Sequence, residues 1–317
     1  MALYLITGIA GFIGSSLARA VLEQGDRVIG IDNFSTGKRE NIAEILDQID
    51  FREADLLNPH ALNEACRGVD CIFHEAALPS VPKSIVDPLA SNRANVDATL
   101  QLLIAARDAK VKRVVYAASS SAYGDAPSLP KREDMLPDPI SPYAVAKLAG
   151  EHYMTSFFRC YGLETVSLRY FNIFGPRQDA CSAYAGVLAK FITQMLDGEQ
   201  PIIFGDGAQS RDFTYIDNAV HANLLAAKAP ASQVAGEVFN VATGARFDLN
   251  QTFQLLREIT GYSGDVAYRP ERAGDVKHSL ADLSKAERLL GFKPCVDFEE
   301  GLRRTVEWYR KEMSSKA

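Results

Sequence analysis

The chain has 317 residues, enough for one large α/β domain with a smaller second part, and its 47% hydrophobic and 23% charged content is ordinary for a globular enzyme. The formal net charge of −6 gives no basic footprint, so no nucleic-acid partner is expected, although a local arginine cluster can still hold an anionic substrate. The five cysteines, Cys66, Cys71, Cys160, Cys181 and Cys295, form no CxxC pair and no metal-ligand spacing; reduced thiols and no metal site are expected.

In chain order, residues 3–7 read as a buried strand. Thr7-Gly8-Ile9-Ala10-Gly11-Phe12-Ile13-Gly14 follows and opens a helix over residues 11–24. In that setting Gly8, Gly11 and Gly14 provide a tight turn, close backbone approach to a pyrophosphate, and close helix–strand packing. The helix start adds free N–H groups and positive partial charge. The next strand, residues 27–31, ends at Asp32. A carboxylate there suits ribose hydroxyls and repels a 2′-phosphate, which favours NAD over NADP. Asn33, Phe34, Ser35, Thr36 and Gly37 read as a loop around that ribose, and Asp55 and Leu56 as flanking the adenine. The competing reading of Asp55 is a helix cap near Asn58 and Pro59.

Further apolar runs fall at residues 71–74, 114–118 and 165–171, separated by amphipathic segments at 95–109 and 143–161. Buried strands alternating with helices predict an α/β fold with a doubly wound parallel sheet of the Rossmann kind. After Asn172 the pattern loosens into a loop at 174–179, a helix at 185–196, an apolar run at 201–204, and helices at 249–260 and 298–311. The expected division is a cofactor-binding domain over residues 1–172 and a smaller, interleaved substrate-binding lobe over 173–317. Segments near 213–241 are expected to return to the sheet. The N-terminus reads directly as a strand without a signal-peptide layout, and no apolar run is long enough to span a bilayer. A cytoplasmic protein with no membrane partner is the expectation.

Tyr143 and Lys147 lie one turn apart and share a helix face. An ammonium near a phenol favours the phenolate and predicts a lowered tyrosine pKa. Ser119 stands upstream, at a strand end, in Ser119-Ser120-Ser121-Ala122-Tyr123-Gly124. Beside a dinucleotide turn, the three name a reaction: the phenolate takes a proton from a secondary alcohol while a nicotinamide takes the hydride. A binding module with a dead site would be expected to lack one of them. His74, His152, His221 and His278 have no metal partner at useful spacing and read as structural.

These stretches, with Leu168-Arg169-Tyr170-Phe171-Asn172, residues 205–213, Arg272-Ala273-Gly274-Asp275-Val276 and residues 281–286, resemble the extended short-chain dehydrogenase/reductase family. Within it they are similar to the nucleotide-sugar 4-epimerases over essentially the whole chain. The resemblance implies a UDP-sugar substrate, retained NAD and a homodimer through the helices at 95–109 and 143–161. It implies that Tyr143 takes the 4-hydroxyl proton with Ser119 bridging. Lys147 would hold the nicotinamide ribose. A 4-keto sugar would turn over before the hydride returns, inverting C4. The implied cofactor contacts are completed by Phe12, Ile13, Ala76, Ala77, Asn95 and Tyr170.

The branch is read from particular residues. Dehydratases and decarboxylases of the family carry carboxyls where this chain has Ser120 and Ser121, and hydroxyls cannot act as acid and base of elimination. Uronate epimerases resemble Arg-Tyr-Phe-Thr and carry a second Arg after Pro-Arg-Gln. Here Asn172 and Asp179 stand there, and Asp179 is expected to repel a sugar carboxylate, with Arg177 still available. Arg211 and Arg272 are expected at the UDP pyrophosphate, Asn172 at the diphosphate or sugar, and Asp275 at the uridine ribose or orienting Arg272. Val187, Ile203, Phe204 and Tyr215 are expected around the uridine. Ser279 stands where glucose-restricted enzymes carry a bulky Tyr, and Gly186 where they carry Asn; both changes enlarge the wall near the C2 substituent. Residues 76–84 resemble the N-acetylhexosamine branch, apart from Pro79. The reading is activity on UDP-GlcNAc/UDP-GalNAc and UDP-Glc/UDP-Gal, with a glucose/galactose-only enzyme and a glucuronate epimerase as alternatives.

Overall fold

The computed structural model describes residues 1–180, 186–270 and 277–314. Seven parallel strands form the central sheet: β1 (Leu3–Thr7), β2 (Arg27–Asp32), β3 (Asp50–Glu53), β4 (Cys71–His74), β5 (Arg113–Ser119), β6 (Glu164–Tyr170) and β7 (Glu237–Val241). Their order is β7-β6-β5-β4-β1-β2-β3. The chain starts at β1, builds outward through β2 and β3, then returns to β4 on the other side of β1 and builds the opposite way. That reversal is the switch point of a doubly wound sheet, where a crevice opens beyond the carboxyl ends of the strands.

Side chains alternate between the two faces, as pleated strands require. Leu5, Ile29, Ile72, Val114 and Tyr116 pack with Leu102, Leu103, Ala106, Met154 and Phe157 of α2 (Ala98–Asp108) and α3 (Pro142–Tyr161). Tyr4, Ile6, Val28, Phe73 and Val115 pack on the other face with Leu17 and Val21 of α1 (Phe12–Glu23). A third cluster lies outside the sheet. It joins α4 (Val187–Leu196), α6 (Leu249–Thr260) and α7 (Phe298–Ser314) around Phe174, Phe213 and Phe298, the last two stacked with ring centroids 5.1 Å apart.

α3 has a well-marked start. Ser141 accepts from Ala144 N at 3.2 Å, Pro142 occupies the first turn, and Gly162 closes the helix in the left-handed region at φ 71°. This fixes Tyr143 and Lys147 at the end of the helix that faces the crevice. Of the segment expected to return near 213–241, β7 pairs in parallel with β6. Thr214–Tyr215 pairs instead with Ile173–Phe174, and α5 (Ile216–Lys228) begins directly after it, packing on α1 through Ala219, Ala222 and Ala226. Among the described residues no helix is long and apolar enough to cross a membrane, and no group of three His, Cys, Asp or Glu could hold a metal.

Candidate active site

The turn after β1 is tight because its glycines leave no alternative. Gly8 has φ +69°, and a Cβ there would lie 2.8 Å from the Ala76 backbone. A Cβ at Gly14 would lie 2.2 Å from the Gly8 carbonyl oxygen. Gly11 N donates to Gly8 O at 2.9 Å, and Gly11 caps α1 without any side chain over its first N–H groups. Phe12 and Ile13, at the start of α1, pack on the third cluster.

Asp32 ends β2 and is buried. Its Oδ2 accepts from Ala10 N at 2.9 Å and its Oδ1 from Phe34 N at 2.8 Å. Burial raises its pKa and the backbone N–H groups oppose that. Gly37 lies against the same carboxylate, and Ser35 and Thr36 are exposed on the bend before it. Asn33 Oδ1 accepts from Ser35 N at 3.0 Å, and Asn33 Nδ2 donates to Asp55 Oδ2 at 2.8 Å. Asp55 therefore belongs with this loop. The helix Pro59–Ala65 is capped by Asn58, which disposes of the capping alternative for Asp55. Leu56 is buried beside it. Ala76 N donates to Thr7 Oγ1 at 3.3 Å, with Ala77 following at the crevice edge. Asn95 is committed to the same loop: its Oδ1 accepts from Leu78 N at 2.9 Å and its Nδ2 reaches Ser91 Oγ at 3.3 Å.

Ser119 closes β5, and its Oγ accepts from Ser121 Oγ at 2.8 Å and Ser121 N at 3.2 Å; Ser120 shares that tight turn. Tyr143 follows Pro142 in the first turn of α3, and the Ser119 side chain acts on its phenol. Burial pushes the phenol upward and only the Ser119 bond opposes it. The expected lowering by Lys147 does not appear, since Lys147 is not among the influences on that phenol. Lys147 is buried, its Nζ 4.3 Å from the centroid of the Tyr116 ring, and desolvation brings its pKa down to about 8 against the pull of Glu75. The lysine thus points along the floor of the crevice.

Glu75 is the site residue the sequence reading missed. It follows β4, and its Oε1 accepts from Tyr170 Oη at 2.8 Å, while Asn223 Nδ2 donates to that same hydroxyl at 2.6 Å. Burial pushes the carboxyl up to about 7. The available signal was a charged residue directly after an apolar strand end. His74, next to it, is held between Thr7 Oγ1 at 2.8 Å and Thr99 Oγ1 at 2.9 Å.

On the other wall, Asn172 at φ +40° donates to Asp212 O at 2.9 Å and to Ser279 Oγ at 3.2 Å. Asp212 fixes this corner by accepting from Thr243 N, Gly244 N and Ala281 N. Gly186 caps α4, and a Cβ there would meet Gln178 Nε2 at 3.4 Å; Val187 is half-buried after it. Arg211 Nη1 donates to Ser210 O and Lys277 O, both at 3.1 Å, and Phe204 is partly buried nearby. Arg272 and Asp275 lie outside the described residues.

Two expectations need correction. Ile203 and Tyr215 are core residues, 0% and 4% exposed in the third cluster, and cannot wall a uridine pocket. Asp179 pairs with Lys38 at 2.8 Å, and Arg177, at φ +69°, donates to Ser16 Oγ at 3.0 Å. Both side chains tie the loop at 175–180 to the cofactor side, so neither the repulsion of a sugar carboxylate by Asp179 nor an Arg177 free for it stands.

The site fits a dinucleotide: the turn is closed to any Cβ, the helix start is bare, and Asp32 presents a carboxylate at the end of β2. Doubly wound sheet, glycine turn and the Ser119–Tyr143–Lys147 group together define a dinucleotide-dependent enzyme. The model of the NAD dependent epimerase/dehydratase family matches residues 4–242. The UDP-glucose 4-epimerase of Mycolicibacterium smegmatis is 38% identical over 312 residues, covering 97% of this chain and 98% of that one. Among solved structures, the UDP-N-acetylglucosamine 4-epimerase from Methanobrevibacter ruminantium M1 superposes with a TM-score of 0.94 at 42% identity, covering 98% of this chain and 99% of that one. The UDP-glucose 4-epimerase from Thermotoga maritima gives 0.93 at 41%, with the same coverage. The chain belongs to the NAD-dependent epimerase/dehydratase family, and its cofactor is NAD.

Proposed function

We propose that the enzyme inverts C4 of UDP-hexoses and accepts UDP-GlcNAc and UDP-GalNAc as well as UDP-Glc and UDP-Gal. NAD, when bound, accepts the C4 hydride and returns it. Tyr143 takes the 4-hydroxyl proton and gives it back, with Ser119 as the hydrogen-bonded bridge. Because burial holds the phenol up, proton transfer at neutral pH draws on the Ser119 bond and on the positive charge of an oxidised nicotinamide. Lys147 orients the cofactor from the crevice floor, and the bare start of α1 takes the pyrophosphate. Arg211 and the undescribed Arg272 are proposed for the substrate diphosphate.

The observation that carries the sugar choice is the corner at Asn172, Asp212 and Ser279, where Ser279 presents only a hydroxyl, 3.2 Å from Asn172. A small residue there leaves room at C2, and Gly186 places no side chain beside Gln178. The relatives named above are a UDP-glucose and a UDP-N-acetylglucosamine 4-epimerase, which supports both sugar types. A homodimer through α2 and α3 is proposed on the exposed apolar side chains Ile104 and Val145, flanked by Ile140. The test is turnover of UDP-Glc and UDP-GlcNAc by the purified protein without added cofactor, followed by NMR. Inversion of both is expected. Inversion of UDP-Glc alone leaves a glucose/galactose-restricted enzyme; inversion of neither, with UDP-glucuronate turned over, replaces the proposal with a uronate epimerase.

A further inference from the structure

Tyr116, in the middle of β5, has no part in the reaction as derived above, yet it touches Lys147 twice. Lys147 Nζ lies over its ring, 4.3 Å from the centroid, and its hydroxyl donates to the Lys147 carbonyl oxygen at 3.3 Å. The ring has little room to move. It is 0% exposed, the His74 ring stands 5.5 Å away on the neighbouring strand, and a Cβ at Gly150 would lie 2.3 Å from the Tyr116 oxygen. Glycine inside a helix costs stability, and here it lets α3 come down onto the tyrosine. Lys147 is buried too, and burial works against an ammonium ion. Of the groups around it, Glu75 favours the charge, while one oxygen of that carboxyl is taken up by Tyr170 of β6. Burial keeps His74 of β4 neutral, and on α3 itself Glu151 is paired with Arg169 and Tyr143 is a phenol. An aromatic face is negative at its centre and stabilises a cation without a counter-charge.

We propose that the ring of Tyr116 keeps the buried Lys147 head group a cation, and that the Tyr116 hydroxyl registers the ring on α3. Tyr116 is then a positioning residue, acting on the cofactor through the lysine. Only the ammonium form brings three N–H donors and a positive charge to the crevice floor. The effect on turnover rests on the proposed use of Lys147 to orient NAD; the effect on its charge does not.

The test follows the titration of Lys147 in the NAD-loaded holoenzyme, with lysine isotopically labelled at Cε and the Lys147 signal identified by its loss in Lys147→Met. Tyr116→Leu takes away the ring, and the midpoint should fall by about one pH unit. Tyr116→Phe keeps the ring and removes only the hydroxyl, and its midpoint should stay with that of wild type. Glu75 is present in all three proteins, so its pull does not enter the difference. A Leu midpoint equal to or above that of wild type overturns the proposal, and so does a Phe midpoint that falls as far as that of Leu. If Tyr116→Leu does not fold, wild type decides by ring current: the Cε protons of Lys147 should resonate upfield of those of the other lysines, and their resonance among the others overturns the proposal. The alkaline limb of UDP-Glc turnover should move with the midpoint. A limb that stays while the midpoint falls supports the effect of the ring on the charge and retires the use of Lys147 in turnover.

Discussion

Two opposed influences act on the Tyr143 phenol: burial raises its pKa and the Ser119 side chain lowers it. Tyr143→Phe removes the hydroxyl without emptying the space, so NAD and UDP-sugar binding should persist while turnover falls by about 10²-fold or more. Retained turnover in that variant would remove Tyr143 from the proton-transfer role. Ser279 tests the sugar wall in the same way. Its Oγ accepts from Asn172 and from Asp212 N, which places any larger side chain at the corner those residues define. Ser279→Tyr should cut kcat/KM for UDP-GlcNAc at least tenfold more than for UDP-Glc; equal losses on the two would show that the corner does not face C2. Tyr143 and Lys147 were legible from their one-turn spacing, and Asp32 and Ser119 from their places at the ends of apolar strands. Glu75 showed only as a charged residue after an apolar strand end. Its partners Tyr170 and Asn223 are distant in the chain, and nothing in residues 71–77 announces that a tyrosine and an asparagine will meet there. Asp179 was misread for the same reason, since Lys38 is 141 residues away.

Among elements, the strands with two buried faces were readable as apolar runs, and α3 announced itself by Ser141, Pro142 and Gly162. β3 was not, because an edge strand of sequence Asp-Phe-Arg-Glu carries no apolar run. Residues 213–216 looked like a sheet strand, but only Thr214 and Tyr215 pair, with Ile173 and Phe174, and Ile216 starts a helix. A run of four β-formers cannot by itself say which partner it will find. Arg93–Asp97 adds a π-helical turn ahead of α2, inside what reads as one amphipathic helix. The joint between β1 and α1 gives the sharpest test at this scale. Gly14→Ala sets a methyl against the Gly8 carbonyl oxygen and cannot be relieved by rotating a side chain, since the obstacle is backbone. The variant should lose bound NAD on purification and melt several degrees lower. NAD retained at wild-type occupancy would mean that the turn does not set the approach to the pyrophosphate.

For the whole molecule, the neighbours His74 and Glu75 couple stability to pH with opposite signs. Burial takes His74 from its ordinary 6.5 down to about 3, so between those values the unfolded chain binds the extra proton and stability rises with pH. Burial takes Glu75 from 4.5 up to about 7, so between those values the native state binds the extra proton and stability falls as pH rises. From pH 4.5 to 6.5 the two slopes cancel in wild type. Glu75→Gln removes one of them and leaves the other. Its unfolding free energy should then climb between pH 5 and 6.5 by on the order of 2 kcal/mol more than that of wild type, in denaturant titrations with NAD in excess. Parallel curves for the two proteins would mean that the Glu75 carboxyl titrates alike in the folded and unfolded chain, and with it would go the picture of a closed, desolvated floor beneath the cofactor.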